Sequence, residues 1–147
     1  MHMITEHVAV GNTEDAARPP RLMTVILNVA AEKQITPPAG RTYAWIPFKE
    51  FAEADPLQLD EAVAWLEHHE HGNGLLICCK AGMGRSVSVV IAYLCLRKGL
   101  SYPDAVKLVC ARRPGATPLP DLERTISFVR ELRAKRERES DAGTTRG

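Results

Sequence analysis

The 147-residue chain has no surplus of charge: 19 lysines and arginines against 18 aspartates and glutamates leave a net charge of +1. A chain so balanced has no overall attraction for nucleic acid, so any affinity for an anion must be concentrated at one place. Long apolar runs are missing too. Nothing approaches the roughly twenty residues that cross a bilayer, and the N-terminus shows no charged start followed by an apolar stretch. No membrane span and no leader are expected, and a cytoplasmic setting follows. The four cysteines, Cys78, Cys79, Cys95 and Cys110, lack the paired spacing of a metal site. His68, His69 and His71 are unevenly spaced ahead of Gly72-Asn73-Gly74 and read as a solvated helix end. No metal and no cofactor are expected.

What is present is concentrated in one run, Cys79-Lys80-Ala81-Gly82-Met83-Gly84-Arg85-Ser86. It follows the apolar Leu75-Leu76-Ile77-Cys78 and precedes the apolar Val87-Ser88-Val89-Val90-Ile91-Ala92-Tyr93-Leu94, an order that reads as strand, tight loop, helix. Amide hydrogens of such a loop, together with a helix N-terminus, can converge on an anion. A cysteine at that mouth, beside a guanidinium, is expected to be a thiolate at neutral pH. Arg85 offers a planar fork for two phosphate oxygens and stays charged through a transition state. Gly82 and Gly84 admit close approach of backbone to phosphate and positive φ angles. Ser86, in the first helical turn, can donate a hydrogen bond to the sulfur and so help Cys79 leave a phosphocysteine.

The loop resembles the signature of the protein tyrosine phosphatase superfamily: a cysteine, five residues, an arginine and then a serine or threonine. The likeness extends to Ile4-Thr5-Glu6-His7-Val8-Ala9-Val10-Gly11 with Glu14-Asp15-Ala16, and to Val25-Ile26-Leu27-Asn28-Val29-Ala30-Ala31-Glu32. Both are similar to segments of dual-specificity phosphatases, as are Ile46-Pro47 before the loop and Arg112-Arg113-Pro114 after it. Low-molecular-weight phosphatases and related arsenate reductases carry their loop near the N-terminus, which argues against them here. The resemblance implies a phosphate-monoester hydrolase working through a phosphocysteine, with Cys79, Arg85, Glu50 and Ser86 catalytic. Residues 80 to 85, Lys80 through Arg85, would hold the phosphate. The substrate would be a phosphorylated protein or a small phosphoester, and the enzyme a monomer.

The family places an aspartate roughly thirty residues upstream as proton donor, and in Ile46-Pro47-Phe48-Lys49-Glu50 the matching position is glutamate. Asp55 is the rival. Yet Asp55-Pro56-Leu57-Gln58 also reads as a helix start, with Asp55 as N-cap, proline at the first helical position and Gln58 completing a capping box. Cys78 stands where the family has a histidine. Packing is the reading for Cys78, and capture of an oxidised Cys79 the alternative. Lys80 beside the nucleophile resembles phosphoinositide and phospholipid phosphatases, whereas Met83 suits an aromatic phosphoester better. A phosphatase fold that only captures phosphorylated partners is the competing class.

Strand candidates Val8–Val10, Val25–Val29, Tyr43–Ile46 and Leu75–Cys78 alternate with helical or loop segments. An α/β domain with a mostly parallel sheet covered by helices on both faces is expected, its loop at the strands' carboxyl edge. Leu59, Val63 and Leu66 place a helix over 56–69 with Trp65 at its edge, and 87–98 is the central buried helix, ended by Gly99. A third helix begins with a cap at Ser101 and turns Val106, Val109 and Cys110 inward. Arg112 and Arg113 suit its cationic end or could reach a second substrate phosphate. A last helix carries Leu122, Ile126, Val129 and Leu132. The catalytic domain is expected over 1–135 and a disordered tail over 136–147; the loop 34–41 lies near the pocket.

Overall fold

The computed structural model of the chain describes residues 1–145. Five strands, β1 (His2–Met3), β2 (Val8–Asn12), β3 (Met23–Ala30), β4 (Thr42–Phe48) and β5 (Gly74–Cys79), form one sheet in the order β1-β2-β5-β3-β4. Strands β2 to β5 pair in parallel, and β1 turns back antiparallel on β2. The sheet is thus mostly parallel, as expected. Its two-residue edge strand β1 was not foreseen, because two residues carry no alternation to read. The central place of β5, between β2 and β3, explains its unbroken apolar run: a parallel strand is covered on both faces.

Helices cover both faces, unequally. On one side, α1 (Thr13–Ala17) closes a small cluster of Ala9, Ala16, Met23, Ile26, Leu76 and Cys78. The main core, on the other side, takes side chains from α2 (Pro56–His69), α3 (Arg85–Leu96), α4 (Tyr102–Arg112) and α5 (Leu122–Thr145). Asp55 caps α2, accepting the Leu57 N–H at 2.9 Å, and Leu59, Val63 and Leu66 are buried below it. The expected capping box does not form. Gln58 instead donates to the Pro47 carbonyl at 2.5 Å, tying the helix to the end of β4.

Helix α3 is buried from Arg85 to Cys95, and its dense apolar content has no wet face to turn outward. Ser101 caps α4 through the Asp104 N–H at 3.2 Å, and Ala105 and Val109 face the core. Cys110, expected to point inward, is exposed: one residue past Val109, the helix has turned about 100°.

Helix α5 buries Leu122, Ile126 and Val129 and does not stop where the tail was expected to begin. Residues 136–145 continue the helix. Arg133 and Arg136 reach the Asp60 carboxylate of α2 at 2.8 and 2.5 Å, and Arg133 also donates to Glu67 at 2.7 Å. Burial alone would raise Asp60, but the two guanidinium bonds outweigh it and hold the carboxyl below its ordinary range. The charged run expected to form a disordered tail is rich in Arg, Lys and Glu, which are good helix formers once a first turn is anchored. Residues 146–147 lie outside the described residues.

Candidate active site

Strand β5 delivers Cys79 at its carboxyl end, and the chain turns through Lys80–Gly84 into α3. Cys79 is 2% exposed, its sulfur 3.1 Å from Ser86 Oγ and accepting the Gly82 N–H at 3.2 Å. Gly82 has φ +71°, and a Cβ there would lie 2.6 Å from the Gly11 carbonyl oxygen, so only glycine fits. Gly84 is under no such constraint. Its φ is −119°, and an added Cβ would meet the Thr117 carbonyl oxygen at 3.4 Å, an ordinary contact, so neither φ nor space demands glycine there.

The loop's carbonyls are held from outside. Arg113 donates to the Ala81 and Gly82 carbonyls at 3.2 and 3.0 Å. The Thr117 N–H donates to Met83 at 2.7 Å, and Ser88 Oγ to Gly84 at 2.8 Å. Ser88 Oγ also accepts the Leu119 N–H at 2.8 Å, which fastens segment 117–120 beside the loop. In a trans peptide the N–H points opposite to the C=O. Four carbonyls turned outward therefore turn the N–H groups of residues 82 to 85 inward, the concave arrangement that receives an oxyanion.

Arg85, 2% exposed, is fixed by Glu32. The carboxylate oxygens accept from Nη2 at 2.6 Å and Nη1 at 2.8 Å, and Nη1 also donates to the Phe48 carbonyl at 3.2 Å. The bond from Arg85 is the main reason the Glu32 carboxyl sits below its usual range; burial opposes this, and the Lys80 charge adds a little. Glu32 holds the guanidinium end-on. The edge carrying Nε–H and the second Nη2–H remains for two oxygens of one phosphate.

Glu32 is in turn positioned by the fully buried Asn28 near the end of β3. Its Oδ1 accepts the Ala30 N–H at 3.0 Å and its Nδ2 donates to the Lys33 carbonyl at 2.7 Å, bending the chain back toward the loop. Neither residue had been assigned a role from sequence. The only signals were a carboxylate just past a buried strand and an amide inside it.

A cavity of about 360 Å³ opens above Cys79. Its lining includes Cys79, Arg85, Ala81, Met83 and Gly84 from the loop, Glu50 and Phe51 from the turn after β4, and residues 117–120. Glu50 thus meets the sulfur and the guanidinium at one space, while Asp55 is engaged as the α2 cap and stands outside the lining. Lys80 is exposed and also outside it. Gly82 is outside the lining too, and its N–H is spent on the Cys79 sulfur. Arg112 is exposed, and Arg113 is buried beneath the loop instead of at the cavity mouth. Cys78 is fully buried in the small cluster under α1, its thiol pushed up to about 12 by burial, with lesser contributions from Cys79 and Asp15.

Residues 20–138 match the family model of the dual specificity phosphatase catalytic domain. The chain belongs to this family. A dual specificity phosphatase domain is a cysteine-based protein phosphatase. Dual specificity protein phosphatase 1B of Arabidopsis thaliana is 32% identical over 115 residues, covering 77% of this chain and 68% of that protein. Dual specificity protein phosphatase Mpk3 of Drosophila melanogaster is 31% identical over 96 residues, 63% of this chain, but the match spans only 23% of its length. Among solved structures, human DUSP28 superposes with a TM-score of 0.75 at 26% identity, covering 92% of this chain and 99% of that one. No helix among the described residues of this phosphatase domain is long and apolar enough to cross a membrane.

Proposed function

We propose that this phosphatase domain hydrolyses phosphate monoesters on phosphorylated proteins in two steps through a phosphocysteine. The observation that carries the reading is the shared cavity. Cys79, under the Gly82 N–H and beside Ser86, faces the same space as the free edge of Arg85 and the carboxyl of Glu50. In the first step the Cys79 thiolate forms the S–P bond while the P–O ester bond breaks, and Glu50 gives its proton to the leaving oxygen. Arg85 and the inward amides hold the three equatorial oxygens, donors already aligned before charge redistributes. In the second step water forms a new P–O bond and loses a proton to Glu50. The S–P bond breaks, and Ser86 hydrogen-bonds the departing thiolate.

Because Arg85 and the amides supply the charge stabilisation, the reaction as read takes no metal. It works as a monomer, and a thiolate nucleophile suits a reducing compartment such as the cytoplasm. Lys80 lies outside the lining and Met83 within it, which favours a protein phosphoester over a polyphosphorylated lipid head group.

The test is steady hydrolysis of an aryl phosphate. Cys79→Ser is expected to abolish turnover while still binding inorganic phosphate. Glu50→Gln is expected to slow the reaction and flatten one limb of its pH profile, and Asp55→Asn to leave that limb in place. A native chain that binds phosphate without turnover would make it a capture module, and damage confined to Asp55→Asn would move the acid.

A further inference from the structure

Arg113, the residue that closes α4, is 5% exposed, yet among the described residues no carboxylate pairs with it. Its partners are the Gly82 carbonyl at 3.0 Å from Nε, the Ala81 carbonyl at 3.2 Å from Nη2, and the His2 ring, with Nδ1 at 2.7 Å from Nη1. A permanent cation buried with no carboxylate against it is costly, so a chain that keeps one there gains something from its geometry.

We propose that Arg113 is a positioning residue of the phosphate cradle, holding two consecutive loop peptides with their N–H ends toward Cys79, and that His2 of the edge strand β1 is its outer anchor. The proposal rests on reading the Cys79 loop as that cradle. The peptide joining Ala81 to Gly82 has its carbonyl on Arg113 and its N–H on the Cys79 sulfur at 3.2 Å, the two ends of one planar unit. The next peptide has its carbonyl on the same guanidinium, so the Met83 N–H turns inward as well. There is no slack: a Cβ on Gly82 would lie 2.6 Å from Arg113 Nη2 and 2.6 Å from the Gly11 carbonyl oxygen, so the loop is wedged between β2 and the guanidinium.

The same contacts remove Arg113 from substrate reading. It sits under the loop and outside the cavity lining. His2 reaches it because β1 pairs with β2 in the register His2 to Val10, which brings the exposed end of the sheet against the far side of the guanidinium.

The experiment measures inorganic phosphate binding by calorimetry in a Cys79→Ser background, and aryl phosphate kinetics in the otherwise native chain. Arg113→Met is expected to weaken phosphate binding and lower kcat/KM on the order of a hundredfold, the scale of losing an aligned oxyanion donor. Arg113→Lys, a point donor, should recover part of both. His2→Ala should weaken both several-fold, and should add nothing on top of Arg113→Met. If Arg113→Met leaves phosphate binding and aryl phosphate kinetics native but raises KM for a doubly phosphorylated peptide, Arg113 reads substrate and the proposal is overturned. If Arg113→Met fails to fold by circular dichroism, His2→Ala carries the test, and native phosphate affinity in that variant overturns it. A chain that binds phosphate without hydrolysis sinks the enzymatic reading alone, because the binding arm still tests Arg113.

Discussion

Cys78 and Cys79 are consecutive residues of one strand and occupy two different chemical settings. Alternation along β5 sends Cys78 to the face under α1, among Ala9, Met23, Ile26 and Leu76, and Cys79 to the face packed by α3. Cys78 packs within an apolar cluster, and burial raises its thiol. Cys79, just as buried, meets an amide hydrogen, a hydroxyl and the mouth of a cavity. The difference is one of surroundings and not of depth: a polar nest makes a sulfur available for reaction, and a sealed apolar pocket withholds it. Opposite faces also oppose capture of an oxidised Cys79 by Cys78, which leaves packing as the role of Cys78.

The widest gap between the two thiols is expected in alkylation. Iodoacetamide should abolish aryl phosphate hydrolysis with modification at Cys79, inorganic phosphate should protect, and peptide mapping should find Cys78 intact. Earlier labelling of Cys78 would erase the contrast.

A smaller effect tests the Cys79 side alone. Glu32→Gln removes the charge that grips Arg85 end-on and is expected to lower kcat/KM on the order of tenfold, since the fork is then less well aimed. Unchanged kinetics would show that the Phe48 carbonyl suffices.

The smallest effect lies on the Cys78 side. Cys78→Ala should cost about 1 kcal/mol of stability for the lost packing and leave activity near native. It should also change the response to alkali. An unfolded thiol ionises near pH 8.5, whereas native Cys78 holds its proton to about 12. Between those values the native state carries a proton that the unfolded state has lost, so stability is complete below the window and falls as pH rises through it. Denaturant melts at pH 8 and pH 10 should show a shallower loss in Cys78→Ala, and equal slopes would mean that this thiol is not the group responsible.

Much of this was legible along the chain. The apolar runs marked β2, β3 and β5 because parallel strands inside the sheet are buried on both faces, and glycines between two such runs marked the loop. Asp55 announced a helix cap through its neighbour Pro56, which leaves Glu50 as the carboxylate facing the cavity. Each of these is a local pattern, a few residues whose types and spacing are informative by themselves. Glu32, Asn28 and His2 were not legible as site residues, Arg113 was legible only as a helix end or a reach toward a second phosphate and not as a support beneath the loop, and the Asp60 network that carries α5 past residue 135 was not legible either.

The amino-acid order by itself determined the strand–loop–helix unit, the thiol and guanidinium at its two ends and the alternation that parts Cys78 from Cys79. Only the tertiary structure decided which carboxylate grips Arg85, 53 positions away, and which guanidinium turns the loop's peptides, 31 positions from Gly82. A short motif is set by steric and periodic rules acting within a few residues. The orientation of a buried charge depends on whatever acceptors packing brings to it, and these come from parts of the chain that no local pattern connects.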